Sequence, residues 1–144
     1  MGYQEQSKAF LEALSLNAVT CEHIVKWADS IIVKEDEPKV EIIELSLSKT
    51  SSEAVSHLKT LSLGADEEES YKLLFGILGK ALSDGRVGYE EVAKKLYFWS
   101  MYETELKGYG ELCSYWDEID LADRGVFGDP IEVRSRMLNF LLGQ

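Results

Sequence analysis

Apolar residues recur along this chain mostly at spacings of three and four positions, the period of an amphipathic α-helix. Between residues 67 and 82 the apolar residues at these spacings include Tyr71, Leu74, Ile77, Leu78, Ala81 and Leu82. Between residues 89 and 106 they lie on nearly every helical face, which is typical of a helix surrounded by others. Strict alternation, the pattern of a half-buried strand, is nearly absent. The chain is therefore predicted to be helical.

Start and stop signals delimit these helices. Thr50 and Glu53 have the spacing of a capping box, and Gly64 ends the helix that they open. Asp129 and Pro130 give an N-cap followed by a proline at the first helical position. The predicted helices are 4–15, 18–33, 38–47, 50–63, 67–82, 89–106 and 130–142. A short strand over residues 42–47 is the alternative to the third helix.

The predicted fold is all-α, a single compact bundle of seven or eight helices. Apolar residues make up 45% and charged residues 28% of the 144 positions, which is ordinary for a globular protein. A domain of this size typically buries about 68–70% of its unfolded surface. Because no linker or repeat is visible, we expect residues 1–144 to form one helical domain. Gly76 and Gly79 are expected to allow close helix contact.

The cytoplasm is the expected compartment. The N-terminus lacks a basic region followed by an apolar one, and no uncharged apolar run approaches the roughly 20 residues that a membrane span needs. Cys21 and Cys113 are the only cysteines, whereas disulfide-built secreted domains are rich in cysteine. We therefore expect both thiols to stay reduced.

The formal net charge of −11 favours a basic partner. This charge repels nucleic-acid phosphates and anionic membranes, so we expect neither as a partner. Residues 103–123 carry seven acids and one base, interleaved with aromatic residues. Aromatic side chains anchor protein interfaces and carboxylates steer basic partners towards them, although a buried helix with a solvated acidic face is the alternative. The predicted partner-binding residues are Tyr109, Glu111, Tyr115, Trp116, Asp117, Glu118, Asp120 and Asp123.

Exposure of the aromatic residues in this stretch follows from their neighbours. Tyr102, Tyr109, Tyr115 and Trp116 lie near acids and turn glycines, so we expect them to be partly exposed. No oligomeric state is specified by these residues.

Two motif-like stretches near residue 80 lack essential residues. Residues 84–91 match the second half of an EF-hand calcium loop, but Lys80 and Leu82 stand where its first half requires oxygen ligands. Gly79 and Lys80 match the end of a phosphate-binding P-loop that lacks its first glycine and its final Ser or Thr. We expect a connection between two helices here, without calcium or nucleotide.

Signatures of catalysis are weak. Cys21, His23, His57 and Cys113 are potential zinc ligands, but Cys-x-His is not a usual zinc spacing. A strained nucleophile turn and a glycine-rich oxyanion loop are both absent from the sequence. We therefore expect no catalytic residue, no metal, no cofactor and no enzymatic activity. A hydrolase or metal enzyme that uses scattered acids and histidines is the least favoured alternative.

One segment is similar to a known group of proteins. It comprises residues 25–32 (VKWADSII), the Asp36-Glu37-Pro38 turn and residues 42–46 (IIELS). This order resembles small all-α bacterial immunity proteins of polymorphic toxin and contact-dependent growth inhibition systems. The resemblance implies an intracellular protein that binds a cognate toxin domain, expected to be a basic nuclease, and neutralises it by occlusion. The alternative is an acidic helical adaptor or regulatory module that binds a basic protein without a toxin.

Overall fold

Helices form all the regular secondary structure in the part of the chain that is described, residues 3–102, 112 and 114–143 of a computed structural model. They are α1 (Tyr3–Ser15), α2 (Cys21–Lys34), α3 (Val40–Ser46), α4 (Ser51–Leu61), α5 (Glu67–Ser83), α6 (Tyr89–Tyr102), α7 (Tyr115–Asp123) and α8 (Pro130–Leu142). The predicted all-α fold of seven or eight helices is confirmed. The strand alternative for residues 42–47 is wrong, because this stretch lies in α3 and its C-terminal cap.

The chain divides into two compact units, Met1–Ile77 and Leu78–Gln144, and the division falls within α5. The prediction of one domain over residues 1–144 stays a prediction. Within the described ranges, no helix combines the length and the apolar character needed to cross a membrane.

In the first unit α4 packs against α1 and α3, and α3 packs against α2. Thr50 caps α4 because its hydroxyl accepts a hydrogen bond from the Glu53 N–H at 3.2 Å. The Glu53 carboxylate accepts from the Lys49 N–H at 2.7 Å, so the predicted capping box closes on the residue before the cap. The core side chains of this unit include Phe10, Ala13, Ile24, Ala28, Ile42, Leu45, Ala54 and Leu58.

In the second unit α7 packs against both α6 and α8. The Asp129 carboxylate accepts a hydrogen bond from the Ile131 N–H at 3.0 Å, and Pro130 opens α8 as predicted. The core side chains of this unit include Val92, Ala93, Leu96, Tyr115, Ile119, Val133, Met137 and Leu141. These contacts fix α7, the short helix that carries most of the described acidic stretch.

The glycines of α5 differ in their surroundings. A Cβ atom at Gly79 would lie 2.7 Å from Leu142 Cδ2, so the expected close helix contact is confirmed there. At Gly76 a Cβ atom would meet nothing within 4 Å, so the same expectation is wrong there. Lys80 and Leu82 lie in the last turns of α5, and Gly85 follows with φ +75°, the helix connection that was predicted.

Exposure along α6 corrects one prediction. Val92, Ala93 and Leu96 are fully buried, but Phe98 is 40% exposed and Met101 is 59% exposed. Because large apolar side chains on one side of α6 contact solvent, the prediction of a helix surrounded by others is wrong. The predicted continuation of this helix over residues 103–106 lies outside the described residues.

Candidate functional site

Helices α6 and α7 border an open groove with a volume of about 520 Å³. Its described lining residues are Glu90 and Tyr97 from α6, Trp116, Asp117 and Asp120 from α7, and Arg124 at the C-cap of α7. Glu90 and Tyr97 are seven positions apart, while Trp116, Asp120 and Arg124 follow at intervals of four. These spacings bring side chains onto one face of a helix, so each helix presents a single stripe to the groove.

The wall of the groove is aromatic at Trp116. The Trp116 and Tyr97 ring centroids are 5.3 Å apart, and the Trp116 and Phe98 centroids are 6.2 Å apart. Both distances fall within the range of favourable aromatic pairs. Trp116 is partly exposed, which confirms the prediction for this residue. The side chain therefore offers a ring face that neighbouring rings hold in place.

The charges along the groove are mixed. Glu90, Asp117 and Asp120 supply carboxylates, and Arg124 Nε lies 3.3 Å from Asp120 Oδ1. No ion pair involves Glu90 or Asp117 among the described side chains. The groove therefore presents carboxylates close to an aromatic surface, the combination that attracts cationic side chains.

A lysine of α6 lies near the tryptophan ring. Lys94 Nζ is 5.8 Å from the centroid of the Trp116 ring, within the range of a cation–π contact. Lys94 is exposed, and it falls on the same stripe of α6 as Glu90 and Tyr97. Two cations of the chain itself, Lys94 and Arg124, thus already contact the ring and a carboxylate of the site.

The remaining acids of α7 form ion pairs with α8. The Glu118 carboxylate accepts hydrogen bonds from Arg136 Nη2 at 2.8 Å and Nη1 at 3.3 Å, a bidentate pair. Hydrogen bonding to Arg136 holds the pKa of Glu118 below its usual range. Asp123 Oδ2 lies 2.9 Å from Arg134 Nη2. Both acids fasten α7 to α8, and their predicted contact with a partner stays a prediction.

Tyr115 is a correction to the predicted site. It was expected to be partly exposed, but its exposure is 0%. Its ring packs near Phe140, with centroids 6.1 Å apart, and Arg136 Cζ lies 6.0 Å from its centroid. The physical reason is helical periodicity, because Tyr115, Ile119 and Ala122 form the stripe of α7 that faces the core. As a buried residue, Tyr115 belongs to the core of the second unit rather than to the surface of the groove.

Two predicted residues, Tyr109 and Glu111, lie outside the described residues, as does the side chain of Tyr102. Of the six predicted residues that are described, the structure places Trp116, Asp117 and Asp120 together along the groove. Sequence reasoning missed Glu90, Lys94, Tyr97 and Arg124 as members of the site. The spacing of Glu90, Lys94 and Tyr97, by four and then three positions, is the signal that could have found the α6 side.

Two of the four potential zinc ligands, His57 and Cys21, have other contacts. His57 Nδ1 lies 3.4 Å from Glu44 Oε2, and Cys21 Sγ lies 4.0 Å from the Ser48 carbonyl oxygen. Burial raises the pKa of the Cys21 thiol, and the nearby Glu53 charge adds to this effect. Cys113 lies outside the described residues. Over the ranges that are described, no group of three His, Cys, Asp or Glu side chains has a metal-binding arrangement.

No protein-family model, no curated protein and no solved structure matches this chain.

Proposed function

We propose that this chain is an intracellular immunity protein that binds a basic protein toxin and neutralises it by occlusion. The observation that carries the proposal is the groove between α6 and α7, where Trp116 stands beside the carboxylates of Asp117 and Asp120. An interface needs an anchor with contact area and a field that favours the right partner, and these residues supply both. The resemblance of residues 25–46 to immunity proteins is the reason to expect a toxin as the partner.

The division of the acids on α7 supports a role for this face in binding. Glu118 and Asp123 are paired with arginines of α8, whereas Asp117 is exposed and has no ion pair within the described part of the chain. An unpaired carboxylate loses no internal contact when it meets a cation. More of the interaction therefore contributes to affinity than at a carboxylate that is already paired within the chain. A basic toxin surface can therefore engage the groove without opening the contacts between α7 and α8.

The first experiment tests neutralisation. The reading frames beside this gene are searched for a toxin, and its C-terminal domain is expressed in a bacterial host with and without this chain. We expect growth to stop with the toxin domain alone and to recover when this chain is co-expressed and forms a complex with it. Complex formation with a basic protein whose activity is unchanged would favour the adaptor alternative. Absence of both rescue and binding would refute the proposal.

The second experiment tests the groove in that complex. The double variant Asp117→Asn, Asp120→Asn should slow association and reduce its dependence on salt, because steering charges act mainly on the association rate. The double variant Asp36→Asn, Glu37→Gln removes the same charge from the exposed loop between α2 and α3 and is the matched control. If only the control variant slows association, the interface lies near α2 and α3 and the proposed site is wrong.

Trp116 is tested as the anchor. Truncation of a hot-spot tryptophan typically costs about 2 kcal/mol or more, which corresponds to a roughly 30-fold loss of affinity. We expect Trp116→Ala to act mainly by faster dissociation. Because the ring also packs on Tyr97 and Phe98, thermal unfolding of the free variant is measured in parallel. Unchanged dissociation from a folded variant would exclude Trp116 as an anchor.

A further inference from the structure

Two cations of the chain itself contact residues that line the groove, one at the tryptophan ring and one at a carboxylate. Lys94 Nζ lies 5.8 Å from the Trp116 ring centroid, and Arg124 Nε lies 3.3 Å from Asp120 Oδ1. Lys94 lies on α6 and Arg124 at the C-cap of α7, and both are largely exposed. A surface lysine of this length has many rotamers, so its position over the ring is easily exchanged for another.

We propose that the groove is a binding site for an arginine or lysine side chain of the partner, and that Lys94 and Arg124 occupy it until that side chain displaces them. The inference deepens the proposed function and rests on it for the identity of the partner. Arginine fits better than lysine, because a planar guanidinium stacks on an aromatic ring and bridges carboxylates in two directions. Trp116 supplies the ring, and Asp117 and Asp120 supply the carboxylates.

The internal cations determine the charge that an incoming side chain meets. The three lining carboxylates, Glu90, Asp117 and Asp120, are opposed by Arg124 in the lining and by Lys94 over the ring. A single positive charge can pair with Asp117 directly, but it reaches the ring and Asp120 only when Lys94 or Arg124 moves away. A partner that brings two or more cations can occupy both places and also pair with Asp117, so the site favours clustered positive charge over an isolated one.

The experiment uses the full chain and a defined probe, the peptide N-acetyl-tetra-arginine amide. In its matched control peptide every arginine is replaced by citrulline, which has the shape of arginine without the charge. Binding is followed by the NMR signal of the Trp116 indole N–H, assigned by comparison with Trp116→Phe. We expect the arginine peptide to shift this signal saturably and the citrulline peptide to leave it unchanged. No saturable shift at Trp116, or equal shifts with both peptides, would overturn the inference.

A second pair of variants tests the displacement step. Lys94→Gln removes the cation over the ring, whereas Lys95→Gln removes the same charge from the next position of α6, which points about 100° away. We expect Lys94→Gln to tighten binding of the arginine peptide by about two- to five-fold, the range of an exposed cation–π contact. Lys95→Gln should change it less than two-fold. Equal tightening by both variants would show an effect of net charge alone and would refute the displacement of Lys94.

These outcomes are separate from those of the neutralisation experiment. Peptide binding at Trp116 without rescue from a toxin would leave a site for cationic side chains whose partner is not a toxin. Rescue from a toxin without peptide binding at Trp116 would keep the proposed function and overturn the cation site. The two proposals therefore fail independently.

Discussion

Glu118 and Asp117 are adjacent acids in the first turn of α7, and the structure predicts different consequences when each is neutralised. Glu118→Gln weakens the bidentate pair with Arg136, whose contacts are 2.8 Å and 3.3 Å. Asp117→Asn removes an exposed charge that has no ion pair among the described residues. Both substitutions remove one negative charge from the helix N-terminus, so the favourable interaction with the helix dipole is lost in both.

The expected magnitude follows from exposure and from the remaining contacts. The Glu118 and Arg136 side chains are 34% and 41% exposed, so the pair is worth about 0.5–1 kcal/mol rather than the value of a buried pair. Arg136 keeps its contact with Glu132 at 3.2 Å, which limits the loss. Glu118→Gln should therefore reduce the free energy of unfolding by about 0.5–1 kcal/mol more than Asp117→Asn near pH 7.

The difference in the free energy of unfolding between the wild type and Glu118→Gln must depend on pH. Because the folded-state pKa of Glu118 is lowered by Arg136, the ionised pair stabilises the fold above the unfolded pKa of about 4.3. This stabilisation is lost as the pH falls through the folded pKa. Urea unfolding followed by circular dichroism, from about pH 7 down to about pH 2, measures the change. Equal losses in the two variants, or a Glu118→Gln effect that persists at the lowest pH, would refute the reasoning.

Two further predictions concern stability. Tyr115→Ala should lower the free energy of unfolding by about 3–5 kcal/mol because the ring is fully buried, measured by urea unfolding; a loss below about 1 kcal/mol would contradict this burial. Gly76→Ala should stabilise α5 by about 0.5–1 kcal/mol, whereas at Gly79 the new methyl would lie 3.3 Å from Leu141 Cβ and 2.7 Å from Leu142 Cδ2, so Gly79→Ala should be less stable than Gly76→Ala by about 1 kcal/mol or more. Equal effects of the two alanines on thermal and urea unfolding would contradict the close contact at Gly79.

The helices and their ends were predictable because their signals are local. Thr50 and Asp129 cap helices through their own side chains, and Pro130 needs only its ring to favour the first helical turn. The helix at Val40–Ser46 was ambiguous because seven residues give too few turns to separate a helical period from a strand. Its identity follows from packing against α2 and α4, which a local pattern does not contain.

The candidate site was predictable only in part. Trp116, Asp117 and Asp120 were found because acids and aromatic residues cluster there in the sequence. Tyr115 was placed wrongly because proximity to acids was used where the stripe through Ile119 and Ala122 decides burial. The partners of Glu118 and Asp123 lie on α8, and such long-range ion pairs have no local signal.

The division of acids on α7 also bears on how such a protein can diverge. Glu118 and Asp123 contribute to the fold through α8, whereas Asp117 lies on the groove and has no such contact in the described structure. A substitution at Asp117 therefore changes the surface that a partner meets at little cost in folding free energy. Related chains can share one scaffold and acquire different recognition surfaces by single substitutions along this stripe. In a library of variants selected for folding alone, we expect residue 117 to tolerate sequence change and residue 115 not to tolerate it.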